Sequence, residues 1–270
     1  MRKKEELLEL MKKDLIHGSS WYFDRTLELL KDTDLDDLAE NLKAIKILRP
    51  MGALTNIVEV LQNTKDVREL KIKIENLKKY RINAKEDLKK IVSKLEFRSF
   101  ITISYSSAIL SLLEISRPHH VYLMESRPGS EVRKALKEYS KYADIRVVPD
   151  SAIWGFIEKS DLVIIGADGI YSGGFVINKI GSRPLISCAK MLNVPIYVVM
   201  ESYKASDTDP SIITEMDFRY FGHSINVPLF EKVPLSEISY LITESGIFAD
   251  PKPSDIKHMH DHFIHSVTSI

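Results

Sequence analysis

The sequence predicts an α/β protein in which a helical N-terminal domain precedes a Rossmann-like domain with an open parallel sheet. Residues 1–97 hold only two of the 11 glycines and one of the 11 prolines, so successive helices can form there with little interruption. After residue 98, short apolar segments alternate with segments of helical length. That alternation is typical of a parallel sheet covered by helices on both faces. We therefore predict two domains, residues 1–97 and residues 98–270.

The predicted elements of the first domain are amphipathic helices. The first helix carries Leu7, Leu8, Met11 and Leu15 on one face. Apolar residues then recur at helical spacing between residues 27 and 47, where Asp34 is a candidate N-cap. Three more helices are predicted near residues 53–62, 66–80 and 84–97.

The second domain alternates predicted strands with predicted helices. The strands are residues 100–104, 121–125, 145–149, 162–167 and 196–200, and the helices between them are residues 106–116, 130–142, 152–159 and 182–192. In an open parallel sheet, ligands bind where the loops leave the carboxyl ends of the strands. All five strands are followed by hydroxyl, carboxylate, Arg or Lys side chains. The convergence of five polar ends favours a small polar ligand, and an anionic one in particular.

Composition narrows the function classes. Lys plus Arg and Asp plus Glu both number 38, so the net charge is zero and neither nucleic acid nor a membrane is expected as a partner. A hydrophobic content of 44% excludes disorder as the main state. The single Cys188 excludes an internal disulfide and a Cys-rich metal site. With no apolar run of membrane-spanning length and no signal-peptide pattern at the N-terminus, we expect a cytoplasmic protein.

Three side chains at strand ends are candidates for chemistry, and each has a simpler alternative role. Arg127 could clamp a phosphate or carboxylate, or pair with Glu131 on the surface. Asp168 follows a buried strand and could act as an acid or base, or cap a neighbouring turn. Lys179 could hold phosphate near the helix that begins at Ser182, or be an ordinary exposed lysine.

Other features do not predict a cofactor. The glycines after the fourth strand do not fit G-x-G-x-x-G, and the chain has no P-loop motif. Four histidines lie between residues 258 and 265, but a solvated terminal helix explains them better than zinc. We therefore predict no metal and no cofactor.

Several motifs occur in the same order as in one known family. They are Glu125-Ser126-Arg127-Pro128, Gly166-Ala167-Asp168-Gly169-Ile170, Asn178-Lys179-Ile180-Gly181-Ser182, Asn226-Val227-Pro228-Leu229-Phe230 and Leu241-Ile242-Thr243-Glu244-Ser245-Gly246. Together they closely resemble the superfamily that joins the alpha, beta and delta subunits of translation initiation factor 2B with two sugar-phosphate isomerases. Those isomerases act on methylthioribose 1-phosphate and on ribose 1,5-bisphosphate. The resemblance spans roughly residues 100–250 and implies a pocket between a helical and a Rossmann-like domain.

The resemblance also implies roles for individual residues. The isomerases use a Cys that follows the first strand and the Asp of a Gly-Ala-Asp motif. That Asp corresponds to Asp168 in this sequence. The family's Asn-Lys pair that binds the sugar phosphate corresponds to Asn178 and Lys179. Arg49 resembles the arginine of an Arg-Pro segment that contacts the substrate phosphate.

Two family motifs are altered in this chain. Ser104 stands where the isomerases have Cys, as in the alpha subunit of the factor, and Ser106 ends that motif. The Arg-Gly-Ala loop of the isomerases is replaced by a segment that contains Gly18. A thiol has a pKa near 8.5, whereas a serine hydroxyl stays protonated without a base beside it, and no His adjoins Ser104. Ser104 is therefore a poor substitute for the thiol.

Three functions follow as alternatives. The first is a non-catalytic protein like the alpha subunit of initiation factor 2B, which keeps its pocket to bind or sense a phosphorylated sugar or nucleotide. The second is an isomerase of the ribose 1,5-bisphosphate type that works through Asp168, with Ser104 assisting. The third is a structural subunit with a vestigial pocket. The resemblance implies a homo-oligomer, at least a dimer, and translation initiation factor 2 as a further partner.

Overall fold

A computed structural model describes residues 2–210 and 214–269. The N-terminal region is helical, as predicted. Its helices are α1 (Arg2–Lys13), α2 (Ser19–Leu30), α3 (Leu35–Lys46), α4 (Gly52–Leu61) and α5 (Val67–Val92). Asp34 occupies the N-cap position of α3, but its side chain accepts no capping hydrogen bond. Met11 of α1 is fully buried, whereas Leu15 lies beyond the helix and is exposed.

Helix α5 is one continuous helix, so the prediction of separate helices over residues 66–80 and 84–97 is wrong. Asp66 caps it by accepting a hydrogen bond from the backbone N–H of Glu69 at 2.8 Å. The linking residues 81–83 include neither glycine nor proline. Leu77, Ala84 and Leu88 are buried at helical spacing, so one apolar face continues across the expected break.

The remaining helices are α6 (Ser107–Ser116), α7 (Val132–Tyr139), α8 (Ile153–Ile157), α9 (Ser182–Met191) and α10 (Pro253–Thr268). The described residues form thirteen strands: β1 Ser99–Thr102, β2 His120–Met124, β3 Asp144–Val148, β4 Leu162–Ile165, β5 Gly169–Tyr171, β6 Phe175–Lys179, β7 Ile196–Val199, β8 Ala205–Ser206, β9 Glu215–Tyr220, β10 His223–Pro228, β11 Phe230–Pro234, β12 Tyr240–Thr243 and β13 Gly246–Ala249. No helix in these ranges is long and apolar enough to cross a bilayer.

The main sheet confirms the predicted α/β class. Its seven strands lie in the order β13-β12-β7-β4-β1-β2-β3, and all neighbours are parallel except the β12–β13 pair. The chain proceeds from β1 through β2 to β3 on one side, and then from β4 to β7 on the other. The order therefore reverses between β1 and β4, and a crevice opens at their carboxyl ends. Ser104 and Asp168 follow these two strands.

The structure contains a second sheet whose strands the sequence analysis did not predict. It has the order β11-β6-β5-β8, and β9 pairs with β10 as a separate hairpin. Strands β5 and β6 are three and five residues long, too short for a clear hydrophobic period. This sheet carries Asn178 and Lys179 at the end of β6.

The C-terminal helix returns to the N-terminal helices. Phe263 and Val267 of α10 are fully buried in the core formed by α1–α5. The ring of Phe263 meets that of Tyr80 on α5 edge-on, with centroids 4.9 Å apart. The helical core therefore includes a segment that the sequence assigns to the second domain, and the boundary at residue 97 stays a prediction.

Candidate functional site

A cavity of about 200 Å³ lies between the start of α2 and the carboxyl ends of β1, β4 and β6. Four chain segments form most of its wall: residues 15–21, 103–107, 166–168 and 178–179. It therefore occupies the crevice where the strand order reverses, and it joins the helical region to the sheet. Of the eight sequence-predicted site residues, six line it: Gly18, Ser104, Ser106, Asp168, Asn178 and Lys179.

Asp168 is held at the N-terminus of α2. Its Oδ1 atom accepts a hydrogen bond from the backbone N–H of Ser19 at 2.9 Å. A Cβ atom on Gly18 would lie 3.3 Å from the same oxygen, so the small residue keeps the helix end close to the carboxylate. Burial raises the pKa of Asp168, against the opposing effects of the Ser19 hydrogen bond and of the ammonium groups of Lys204 and Lys179. Asp168 is therefore a carboxyl group biased towards its protonated form beside a cavity.

Ser104, two residues after the end of β1, has a left-handed backbone conformation with φ of 65°. Its N–H donates to Ser126 Oγ at 2.8 Å, and its own hydroxyl donates to Glu131 Oε1 at 3.2 Å. Non-glycine residues in this region are uncommon and cost about 1–3 kcal/mol when strained, so their positions frequently mark functional sites.

Glu131 is the acidic group that sequence reasoning did not place beside Ser104. Its carboxylate forms an ion pair with Lys179, with Nζ and Oε1 2.8 Å apart, and both residues are buried. Glu131 appeared in the sequence only as an alternative partner for Arg127 on the surface. The structure pairs it with Lys179 instead, so the ammonium expected to meet phosphate is already neutralised by a carboxylate.

Asn178 and Ser106 are held by local hydrogen bonds. Asn178 Nδ2 donates to Ser182 Oγ at 2.9 Å, which connects β6 to the first turn of α9. Ser106 is the N-cap of α6, and its Oγ accepts from the N–H of Ile109 at 3.4 Å. The start of α6 therefore faces the cavity with its positive end.

The two arginines singled out in the sequence do not line the cavity. Arg49 is buried and donates to the backbone carbonyls of Leu48 at 2.6 Å and Lys12 at 3.0 Å. It thereby ties the segment between α3 and α4 to the end of α1. The guanidinium of Arg127 lies 5.6 Å from the ring centroid of Phe218. Neither arginine lines the cavity in this structure. Their roles as ligand contacts therefore stay predictions.

Three further basic side chains line the cavity: Arg81, Lys134 and Lys204. Lys204 is buried, and its Nζ lies 2.8 Å from Glu201 Oε2. The guanidinium of Arg81 lies 3.8 Å from Glu201 and 3.6 Å from Asp24. The sequence marked Lys204 only as part of a polar strand end. Arg81 and Lys134 lie within helices and carried no local signal.

The histidines near the C-terminus do not assemble a metal site. Within residues 2–210 and 214–269, no group of three or more His, Cys, Asp or Glu side chains is arranged to hold a metal ion. His260 is buried, with its Nε2 atom 3.3 Å from Glu59 Oε1.

Comparison with known proteins identifies the family. The model of the initiation factor 2 subunit family matches residues 28–250. The chain belongs to this family. It is 30% identical over 269 residues to a putative translation initiation factor eIF-2B subunit 2-like protein of Pyrococcus furiosus, covering 92% of this chain and 96% of the relative. The resemblance found in the motifs is therefore confirmed.

Relatives with enzymatic names belong to the same group. The ribose 1,5-bisphosphate isomerase of Methanocaldococcus jannaschii is 27% identical over 187 residues, which is 64% of this chain and 59% of that protein. Among solved structures, the initiation factor eIF-2B of Pyrococcus horikoshii OT3 matches with a TM-score of 0.88 at 26% identity, covering 95% of this chain and 99% of that one. The 5-methylthioribose 1-phosphate isomerase of the same organism has a TM-score of 0.72 at 19% identity over 96% of this chain and 88% of that one, which shows a shared fold.

Proposed function

We propose that this chain is an initiation factor 2B alpha-like protein that binds a phosphorylated sugar, or a nucleotide phosphate, without converting it. The observation that carries the proposal is the serine at position 104. It lies at the cavity, where the related isomerases are expected to present a thiol, and its hydroxyl donates to Glu131.

The electrostatics of the cavity support binding of an anion. Four basic side chains line it, while Asp24 and Asp168 are its two acidic lining residues within the described ranges. The N-terminal ends of α2 and α6 also face it through Ser19 and Ser107. Backbone N–H groups and the helix dipole at such ends favour negative charge. A phosphate group satisfies both features.

The same geometry disfavours turnover. Interconversion of an aldose and a ketose needs one group that moves a proton between C1 and C2 and a second group that moves a proton between their oxygens. Asp168 can serve as one of them. Ser104 is a weak acid, and the carboxylate that accepts its hydrogen bond is already paired with Lys179 at 2.8 Å. With one member of the pair replaced, the rate is expected to fall by orders of magnitude.

One observation favours the second candidate function, an isomerase of the ribose 1,5-bisphosphate type. Burial raises the pKa of Asp168 at the cavity wall, which is a property expected of a general acid. In this alternative Asp168 moves the proton between C1 and C2 of the open-chain sugar, and Ser104 only orients a hydroxyl group.

Phosphorus NMR of ribose 1,5-bisphosphate with the purified protein separates the two functions. We expect the two phosphate signals to shift or broaden without new signals, in the wild type and in Asp87→Asn, a control on α5 that does not line the cavity. A new pair of signals that disappears in Asp168→Asn would establish an isomerase and refute the proposal. Unchanged signals at high protein concentration would favour a structural subunit with a vestigial pocket.

A second variant tests the role of the serine directly. If the missing thiol limits turnover, Ser104→Cys should produce new phosphate signals that Ser104→Ala does not. Product from Ser104→Cys would support the assignment of position 104 as the reason for inactivity.

Assembly and location are part of the same proposal. A related solved structure is the tetrameric eIF2B-beta2-delta2 complex of Chaetomium thermophilum, whose chain shares the fold at 15% identity. We propose that this chain forms at least a homodimer in the cytoplasm and contacts translation initiation factor 2. Sedimentation equilibrium tests the dimer, and a monomer at micromolar concentration would contradict it.

A further inference from the structure

The four Lys and Arg side chains that line the cavity differ in whether a carboxylate balances their charge. They are Arg81, Lys134, Lys179 and Lys204. Lys179 pairs with Glu131, and Lys204 pairs with Glu201, each at 2.8 Å. Arg81 lies within 4 Å of two carboxylates. Lys134, in the part of the chain that the structure describes, forms no ion pair with a carboxylate. The positive charge of Lys134 is therefore the one that an incoming anion can use without displacing an internal partner.

Aromatic packing positions the Lys134 side chain. Its Nζ lies 4.4 Å from the centroid of the Tyr105 ring, within the range of a cation–π contact. That ring stacks on Tyr139, with centroids 5.8 Å apart and planes 18° apart. Tyr139 is fully buried, and its hydroxyl accepts from the N–H of Ser106 at 2.8 Å. A rigid column thus connects the lysine to the capped start of α6.

The ammonium of Lys134 is also partly removed from water. Burial lowers its pKa, while the charges of Asp14 and Glu138 oppose that effect. A poorly solvated cation with no carboxylate within ion-pair distance gains more from a ligand charge than a solvated one does.

We infer that Lys134 is a ligand-binding residue of this cavity and supplies the main uncompensated charge for the phosphate group of the ligand. The inference rests on the proposed function and extends it, because it assigns the anion contact to a side chain outside the recognised motifs. Lys179 and Lys204 form ion pairs with Glu131 and Glu201, so their charges are already balanced within the protein. The ligand class is a phosphate monoester small enough for a cavity of about 200 Å³.

Titration calorimetry of the full chain with ribose 5-phosphate, and separately with inorganic phosphate, tests the inference. Lys134→Met should weaken binding of both by about 10- to 100-fold, the range for loss of a charge-assisted hydrogen bond. Lys137→Met is the matched control, because Lys137 is exposed one turn further along α7 and does not line the cavity. Lys134→Arg should retain most of the affinity. Circular dichroism and the thermal midpoint confirm that each variant is folded.

The outcomes distinguish this inference from the function on which it rests. If the wild type binds and Lys134→Met binds equally well, Lys134 is not a ligand contact, and the proposed function stands. If Lys137→Met weakens binding as much as Lys134→Met does, the effect is one of general charge, and the inference is wrong. If the wild type binds neither compound, the proposed function fails, and the inference fails with it.

Discussion

Gly52 is one of the residues through which the helical region contacts the segment that carries Lys204. It is the first residue of α4, and a Cβ atom placed on it would lie 2.1 Å from the carbonyl oxygen of Lys204 and 3.5 Å from Cα of Gly169. Real Cβ atoms do not approach other heavy atoms to 2.1 Å. Because both neighbours are backbone, no side chain can rotate away, so Gly52→Ala must separate α4 from this segment.

The expected cost follows from two opposing effects. Replacing glycine by alanine within a helix stabilises it by about 0.5–1 kcal/mol through backbone entropy. Forcing an extra methyl group into a packed interface costs about 1–3 kcal/mol, and more where the backbone must move. We therefore expect Gly52→Ala to lower the free energy of unfolding by about 1–3 kcal/mol. Because Lys204 and Asp168, the residue before Gly169, both line the cavity, affinity for ribose 5-phosphate should fall as well.

Urea unfolding followed by circular dichroism measures the change, with Gly155→Ala as the matched control. Gly155 lies inside α8, and a Cβ atom there would meet no heavy atom within 4 Å. This variant should be unchanged or more stable by up to about 1 kcal/mol. If Gly52→Ala were as stable as Gly155→Ala, the close approach of α4 to Lys204 would not exist in solution, and the reasoning would be refuted.

Two further predictions concern charge at the cavity. Because burial raises the pKa of Asp168, the stability contributed by its protonated form is lost as the pH rises through the folded pKa. The unfolding free energy of Asp168→Asn relative to wild type should therefore increase as the pH rises above about 4, the ordinary pKa of an Asp in the unfolded chain, and a pH-independent difference would contradict the buried carboxyl. Glu131→Gln leaves the buried Lys179 without its counter-charge. The variant should therefore lower the free energy of unfolding by up to about 3–5 kcal/mol. Added phosphate should raise the free energy of unfolding more in this variant than in wild type, because it can pair with Lys179. Glu69→Gln is its control, because Glu69 pairs with the buried Lys73 on α5 and neither residue lines the cavity; equal stabilisation by phosphate in both variants would exclude competition for Lys179.

The strand and helix pattern of the second half could be predicted because it is local information. The five predicted strands appear as β1, β2, β3, β4 and β7, since each combines an apolar run with flanking polar residues. The family motifs likewise placed Asp168, Asn178 and Lys179 at strand ends, where the structure finds them lining one cavity. The break predicted within α5 was wrong, because residues 81–83 include no helix-breaking residue and the buried face of the helix continues through Ala84 and Leu88.

Arg49 illustrates what local information cannot provide. Its motif predicts a phosphate contact, but its guanidinium donates to backbone carbonyls near the end of α1, such as that of Lys12, far away in the sequence. Whether an arginine meets a ligand or a carbonyl depends on which segment folds beside it. The local sequence around Arg49 is compatible with either contact and therefore cannot distinguish them.

The sequence by itself determined the α/β class, the alternation of helices with five strands of the main sheet, and the family, because periodicity, glycine and proline placement and motif order are properties of the chain. Only the tertiary structure decided how the charges of the cavity are paired. Glu131 and Lys179 are separated by 48 residues and meet through β6 and the start of α7, while Lys134 is left beside the ring of Tyr105. Coulomb energies depend on distance and burial in three dimensions, so the available charge could be found only after the chain had folded.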